Sequence, residues 1–146
     1  RGGIVLEAHR ASIHHSSRGS CLRIDPIGAV GGWSNKRTWL SWDFKADRSG
    51  RFDLSLISST DRDGRWEGGH RVKVSVSGEV LTGAVRKGRT AANPRAATGW
   101  KDVISHLGRI SISKPGKHRL SLKPERLERK KGLSLTLRAI QLIPVS

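Results

Sequence analysis

Residues 31–46 read GGWSNKRTWLSWDFKA and hold three of the chain's five tryptophans. From Thr38 onward the run alternates, with Leu40, Trp42, Phe44 and Ala46 on one side and Trp39, Ser41, Asp43 and Lys45 on the other. A period of two is the mark of a half-buried strand, since successive side chains in extended backbone point to opposite faces. The phase sends Trp42 into a core with Leu40 and Phe44. Trp39 falls on the opposite face, where a loop or a neighbouring strand is expected to pack it. Trp33 precedes the strand, behind Gly31-Gly32, and is expected to be held out of the core.

The same pattern recurs along the chain. Phe52, Leu54 and Leu56 alternate with Asp53 and Ser55, and Val72, Val74 and Val76 with Lys73, Ser75 and Ser77, before the turn Ser77-Gly78-Glu79. Ile110 and Ile112 lead to the turn Pro115-Gly116, after which Leu120 and Leu122 sit among Arg119, Ser121 and Lys123. Leu133, Leu135 and Leu137 are followed by Ile140 and Leu142, a change of phase at Arg138-Ala139 that predicts a β-bulge. No stretch carries a long helical apolar stripe. Short amphipathic strands between Gly and Pro turns predict an all-β antiparallel sandwich. The longest loops are expected at 57–70 and 86–99, with a basic turn at 124–132; no internal repeat or linker is found.

With 146 residues the chain is expected to form a single domain, 1–146. It has no apolar run long enough to span a membrane, so no membrane insertion is expected. It opens at Arg1 with neither an initiator Met nor a signal-peptide pattern, which suggests a mature or excised module. A single cysteine, Cys21, excludes an internal disulfide and reads as a buried, inert thiol. The charge is the most unusual property: 28 Lys and Arg against 12 acids, a net of +16. Self-repulsion of that size works against compactness, so a polyanionic partner is expected: nucleic acid, an anionic membrane, or a sulfated or uronic-acid polysaccharide.

Catalysis finds little support. The acids stand mostly beside bases, as Asp61 and Asp63 do beside Arg62, or Glu125 and Glu128 beside Arg126. These read as solvated loop charges. His14-His15 lack a third ligand at a recognisable spacing, and His9, His70, His106 and His118 are scattered. No Gly-rich loop opens a helix. The chain is expected not to be an enzyme.

Seven short stretches, in order, carry a family resemblance: LEAHRA (6–11), LRID (22–25), GGWSNKRTWLSWDF (31–44), SGRFDLSL (49–56), ATGWKDV (97–103), KPGKHRLSLKP (114–124) and LTLRAIQLIP (135–144). Together they resemble the β-sandwich at the end of many bacterial α-L-fucosidases and secreted sulfatase-like proteins. That module is similar to family 6 and family 35 carbohydrate-binding modules. The resemblance implies a galactose-binding-like jelly roll working beside a glycan-degrading enzyme. In family 6 modules an early-loop aromatic and a Trp in a later Gly-rich loop clamp a sugar ring, and those places resemble Trp33 and Trp100. Many relatives hold a structural calcium through acids of the first and last strands. Here Glu7 is retained, but His9 and Thr136 stand where acids are expected, which speaks against calcium, a cation of oxygen ligands. No cofactor is expected. The Asn often found in the last strand resembles Ser134.

Asn35, Lys36 and Arg37 follow Trp33, Lys101 follows Trp100, and Arg95 shares the later loop, with Arg23 and Arg138 on neighbouring strands. Guanidinium and ammonium groups grip sulfate and carboxylate through charge-assisted hydrogen bonds. The expectation is therefore a monomeric, non-catalytic module that binds an anionic polysaccharide and serves a parent catalytic domain in the same or an associated chain. Its setting would be secreted or periplasmic. Two alternatives remain: an interaction domain with Trp39 and Trp66 as interface anchors, and nucleic-acid binding, expected to be only non-specific because no recognition motif accompanies the charge.

Overall fold

The computed structural model describes residues 3–14, 23–24, 30–33, 37–60, 64–66, 68–92, 100–127 and 135–145, with the side chains of 23, 24, 30 and 32 left aside. Twelve strands are placed: β1 (Ile4–Glu7), β2 (Ser12–His14), β3 (Arg23–Ile24), β4 (Val30–Trp33), β5 (Trp39–Ala46), β6 (Gly50–Ser59), β7 (Arg71–Val76), β8 (Glu79–Ala84), β9 (Arg89–Ala92), β10 (Lys101–Ile112), β11 (Gly116–Arg126) and β12 (Leu135–Pro144). A 3₁₀ turn, Ala8–Arg10, separates β1 from β2. The strands form two antiparallel sheets. The seven-stranded one runs β3-β4-β12-β6-β10-β9, with β1 also on β12; the five-stranded one runs β2-β5-β11-β7-β8.

The two sheets face each other across the core that the alternation predicts. Leu40 and Trp42 of β5 meet Leu120 and Leu122 of β11 and Val72, Val74 and Val76 of β7, all buried. Phe52, Leu54 and Leu56 of β6, Ile110 and Ile112 of β10, and Leu137, Ile140 and Leu142 of β12 form the opposing layer. Burial of apolar surface at ~25 cal/mol per Å² makes this contact between sheets the dominant favourable contribution to the fold. The turn after β7 places Ser77 at φ 51° and Gly78 at φ 83°. Two successive left-handed residues are what a two-residue hairpin needs to match the twist of its strands.

The predicted bulge is present. Leu137 pairs with Ser58 and Ala139 with Ile57, so Arg138 is the extra residue. A second bulge, between His106 and Gly108, does not show in the apolar pattern. Gly108 there has φ 150°, and a Cβ on it would come within 2.9 Å of Leu81. The loop expected at 86–99 contains a strand, β9, whose four residues are all exposed. An edge strand without a buried face has no alternation to reveal it. Cys21 lies outside the described residues. No helix among the described residues is long and apolar enough to cross a membrane.

Candidate functional site

The structure separates the expected sugar clamp. Trp33 is fully buried and belongs to the core, with its indole N–H donating to the Thr38 carbonyl at 3.1 Å. The expectation that it is held out is corrected: Trp33 ends β4 opposite Leu135, and pairing to β12 draws its ring between the sheets. Gly31-Gly32 begins no open loop here; both residues lie in β4. Trp100 is half-buried just before β10, and Lys101 beside it is exposed. The Lys101 N–H is fixed by Thr60 Oγ1 at 2.8 Å. Arg37 is exposed. Asn35, Lys36, Arg95 and Ser134 lie outside the described residues, as does the side chain of Arg23.

Arg138 also departs from its expected role as a ligand contact. Its side chain is 12% exposed and its Nε sits 2.8 Å from Oδ1 and 2.9 Å from Oδ2 of Asp102, itself 7% exposed. The hydrogen bond goes to Oδ2, and Oδ1 has no hydrogen-bond partner among the described residues. Burial pushes the Asp102 carboxyl up, against the opposing pull of Arg138. The bulge makes this pair: it lets one residue of β12 reach across β6 to β10 on the outer side of the sheet.

Glu7 shows why calcium does not fit. Its carboxylate takes His9 Nε2 at 3.2 Å and Arg10 Nε at 3.5 Å. A carboxylate flanked by two nitrogen donors, one a guanidinium, is not an oxygen cage for a hard cation. Among the described residues no group of three or more His, Cys, Asp or Glu is placed to hold a metal.

The richest functional chemistry lies instead on the outer face of the five-stranded sheet. Pairing puts four serines in one row across four strands: Ser12 opposite Ser41, Ser41 opposite Ser121, Ser121 opposite Ser75. Beside this row, Trp39 of β5 lies between His14 of β2 and Lys123 of β11. The His14 ring stacks on it at 3.8 Å with planes 10° apart, and Lys123 Nζ stands 4.7 Å from its centre on the other side. His14 is anchored in turn by Ser41 Oγ at 2.7 Å. The ring therefore stands upright from the sheet. Among the described residues, one of its faces is closed by the His14 imidazole and the other meets the Lys123 ammonium in cation–π contact.

Charge on this face is unusually arranged. Lys73 stands directly opposite Lys123, and Lys45 directly opposite Lys117. Like charges facing each other across strands destabilise a sheet, and no ion pair to Lys45, Lys73 or Lys117 is formed among the described residues. Between these pairs Arg119 Nε binds Asp43 Oδ1 at 2.8 Å. That hydrogen bond holds the Asp43 carboxyl below the usual carboxylate range. A depression of about 290 Å³ lies at the β2 edge of β5, bordered by Glu7, Arg10, Ser12 and Ser41, and another of about 730 Å³ lies along residues 43–45 of β5 and 117–119 of β11, which point to both faces of the sheet. Small serines make a floor, long cationic side chains make the walls, and one aromatic ring rises between them. Trp39, Ser41, Asp43, Lys45, Lys73, Ser75, Arg119, Ser121 and Lys123 are visible in the sequence as outward positions, whereas Ser12 and His14 are not. What the sequence does not show is which strands are neighbours, and so that the serines share a row.

Comparison with solved structures gives the architecture its relatives. An α-L-fucosidase from Vibrio sp. strain EJY3 superposes with a TM-score of 0.63 at 22% identity, over 86% of this chain and 24% of the enzyme. A family 35 carbohydrate-binding module from Clostridium thermocellum superposes at 0.53 and 13% identity, over 99% of this chain and 100% of the module. The chain has the galactose-binding-like β-sandwich fold. It also superposes at 0.56 and 15% identity on a Podospora anserina GH26-CBM35 β-(1,4)-mannanase, covering 99% of this chain and 28% of that one. The chain thus spans about a quarter of the length of these two enzymes. No protein-family model matches the sequence, and no curated protein does.

Proposed function

We propose that this chain is a non-catalytic carbohydrate-binding module that holds an anionic polysaccharide on the outer face of its five-stranded sheet and keeps a glycan-degrading enzyme on its substrate outside the cytoplasm. The observation that carries the reading is the Trp39 column with its neighbours: an aromatic ring that, among the described residues, meets Lys123 on one side, next to Lys73 and a row of serines. A pyranose presents C–H groups that pack on an indole, and placed hydroxyls orient it. A sugar laid on Trp39 would displace the Lys123 ammonium, which would then be free to pair with a sulfate or carboxylate of the same chain. Stacking and charge recognition become coupled, and a neutral sugar gains only the first. The fold it shares with a solved family 35 module supports the class, and the excess of 16 positive charges supports the sign of the ligand. Trp100 and Lys101 would offer a second, smaller contact at the loop end. Joined to a catalytic domain, even weak binding would raise its local concentration on a polymer.

Affinity electrophoresis tests this. In gels containing a sulfated galactan, migration should slow and recover as salt rises; in gels with the desulfated polymer, it should be little affected. Equal retardation in both would remove the anionic part of the reading. No retardation in any glycan gel, with tight association to a catalytic domain, would replace it with an interaction role.

A further inference from the structure

His14 lies in β2 directly opposite Trp39, so both side chains leave the same face of the five-stranded sheet. Lys123 of β11 reaches the other side of the indole, and Lys73 of β7 stands directly opposite Lys123. The four form one row across four strands, in the order imidazole, indole, ammonium, ammonium. We propose that His14 is a specificity-determining residue of this face: its ring takes up a proton from solvent when an anionic glycan binds, and so adds a third cation to the row only for a charged ligand. This rests on the reading of that face as the binding surface.

Three observations carry it. First, the ring is held without being committed to one protonation state. Its Nε2 lies 2.7 Å from Ser41 Oγ, and a hydroxyl donates to a neutral nitrogen or accepts from a protonated one. Gaining a proton requires only that the hydroxyl turn. Second, no acid among the described residues claims the charge. Glu7 is taken by His9 at 3.2 Å and Arg10 at 3.5 Å, and Asp43 by Arg119 at 2.8 Å. Both acids border the depression that also holds Ser12 and Ser41, yet neither pairs with His14. The charged groups that share its row are the cations Lys123 and Lys73. An imidazolium in that company is favoured by an anion brought from outside. Third, the stack links the ring to the ligand. The two rings lie 3.8 Å apart and within 10° of parallel, so an imidazolium gains cation–π attraction to the indole. When a sugar takes the place of Lys123, the imidazolium supplies the cation contact that the indole has lost. His14 and Lys123 are two strands apart, about 10 Å at ~4.8 Å per strand. That is near one screening length at about 0.1 M salt, so an anion held by Lys123 is felt at the ring.

Protonation and anion binding are then linked in both directions, each strengthening the other by the same factor. Histidine changes charge between about pH 5 and about pH 8, where a sulfate ester stays ionised. Affinity for a sulfated chain therefore rises in acid, and affinity for a neutral chain does not follow.

The test uses the full chain, with dextran sulfate and dextran as probes in titration calorimetry at fixed salt. From about pH 8 to about pH 5 the affinity for dextran sulfate should rise about fivefold or more. Titrations in buffers of different ionisation enthalpy should show the complex taking up protons. His14→Phe keeps a ring beside Trp39 but cannot titrate, so it should lose the uptake and flatten the profile. His106→Gln, which removes an exposed histidine of the other sheet, should keep the parent's profile. In the parent chain dextran sulfate should also move the His14 ring resonances toward those of the protonated imidazole, a readout that needs no variant. A flat profile in the parent, a slope that survives in His14→Phe, or unmoved His14 resonances overturns the inference. An equal rise in dextran affinity overturns it too, because the linkage would not be to charge. If Trp39→Ala abolishes binding while the parent's profile is flat, the role of His14 fails and the face stands. If the parent chain does not bind dextran sulfate at any pH, both fail.

Discussion

Trp33 and Trp39 are six residues apart, and the structure gives them opposite fates. Trp33 is closed into the core and bonded to the Thr38 carbonyl. Replacing it with Ala should cost about 3–5 kcal/mol, as large-to-small changes at buried aromatics do, and a denaturant melt will read that directly. Trp39→Ala removes a half-buried outer ring and its contacts to His14 and Lys123. It should cost about 1 kcal/mol or less, near the value of an exposed cation–π contact, while glycan binding falls away. A larger loss of stability at Trp39 than at Trp33 would reverse the assignment. The sequence separates these roles only in part. Trp39 and Trp42 follow from strand phase, because three apolar neighbours fix it. Trp33 has Gly31-Gly32 before it and no alternation of its own, so only its pairing with Leu135 reveals where it goes.

At the scale of the element, the β12 bulge explains more than a kink. By inserting Arg138 it builds an ion pair that is buried on the outer side of the seven-stranded sheet. Breaking such a pair leaves a stranded charge, so Arg138→Met should destabilise by about 3–5 kcal/mol, whereas Arg138→Met/Asp102→Leu should cost much less. Equal losses in the single and double variants would show that the pair is not what holds the site. The pH dependence has a definite sign. Folded Asp102 keeps its proton to higher pH than the unfolded chain does, since burial pushes its carboxyl up. Its contribution is therefore most favourable in acid and declines as pH rises from the ordinary carboxylate range through the raised folded value. Arg138→Met removes the one influence that opposes the rise, so that variant should regain stability as pH falls and Asp102 takes up its proton, and should do so from a higher pH than the parent chain. Continued loss as pH falls would contradict the account. The bulge was legible as a phase change in the apolar residues. Its consequence was not, because Asp102 lies 36 residues away and no local pattern connects the two.

For the whole molecule, the question is where a net charge of +16 does its work. The opposed lysines of β5, β11 and β7 place part of it on one open face, with serines between them. Binding to a sulfated polymer should therefore weaken along a straight line in a plot of log affinity against log salt, as counterion release requires. Lys73→Ala/Lys123→Ala should flatten that line by about two contacts' worth of slope. An unchanged slope would place the binding cations elsewhere. Strand alternation carried the sandwich into view early, since half-buried strands advertise their faces. The proposed binding face was harder to see because its residues are ordinary serines and lysines, brought together only by the order β2-β5-β11-β7.

The central claim is that Trp39 and its cationic neighbours hold an anionic glycan. The most direct measurement compares the parent chain with Trp39→Ala by affinity electrophoresis in a sulfated galactan gel, with the thermal midpoints of both proteins recorded. The account predicts that the variant keeps its fold and loses its retardation. A folded Trp39→Ala protein retarded as strongly as the parent would contradict it.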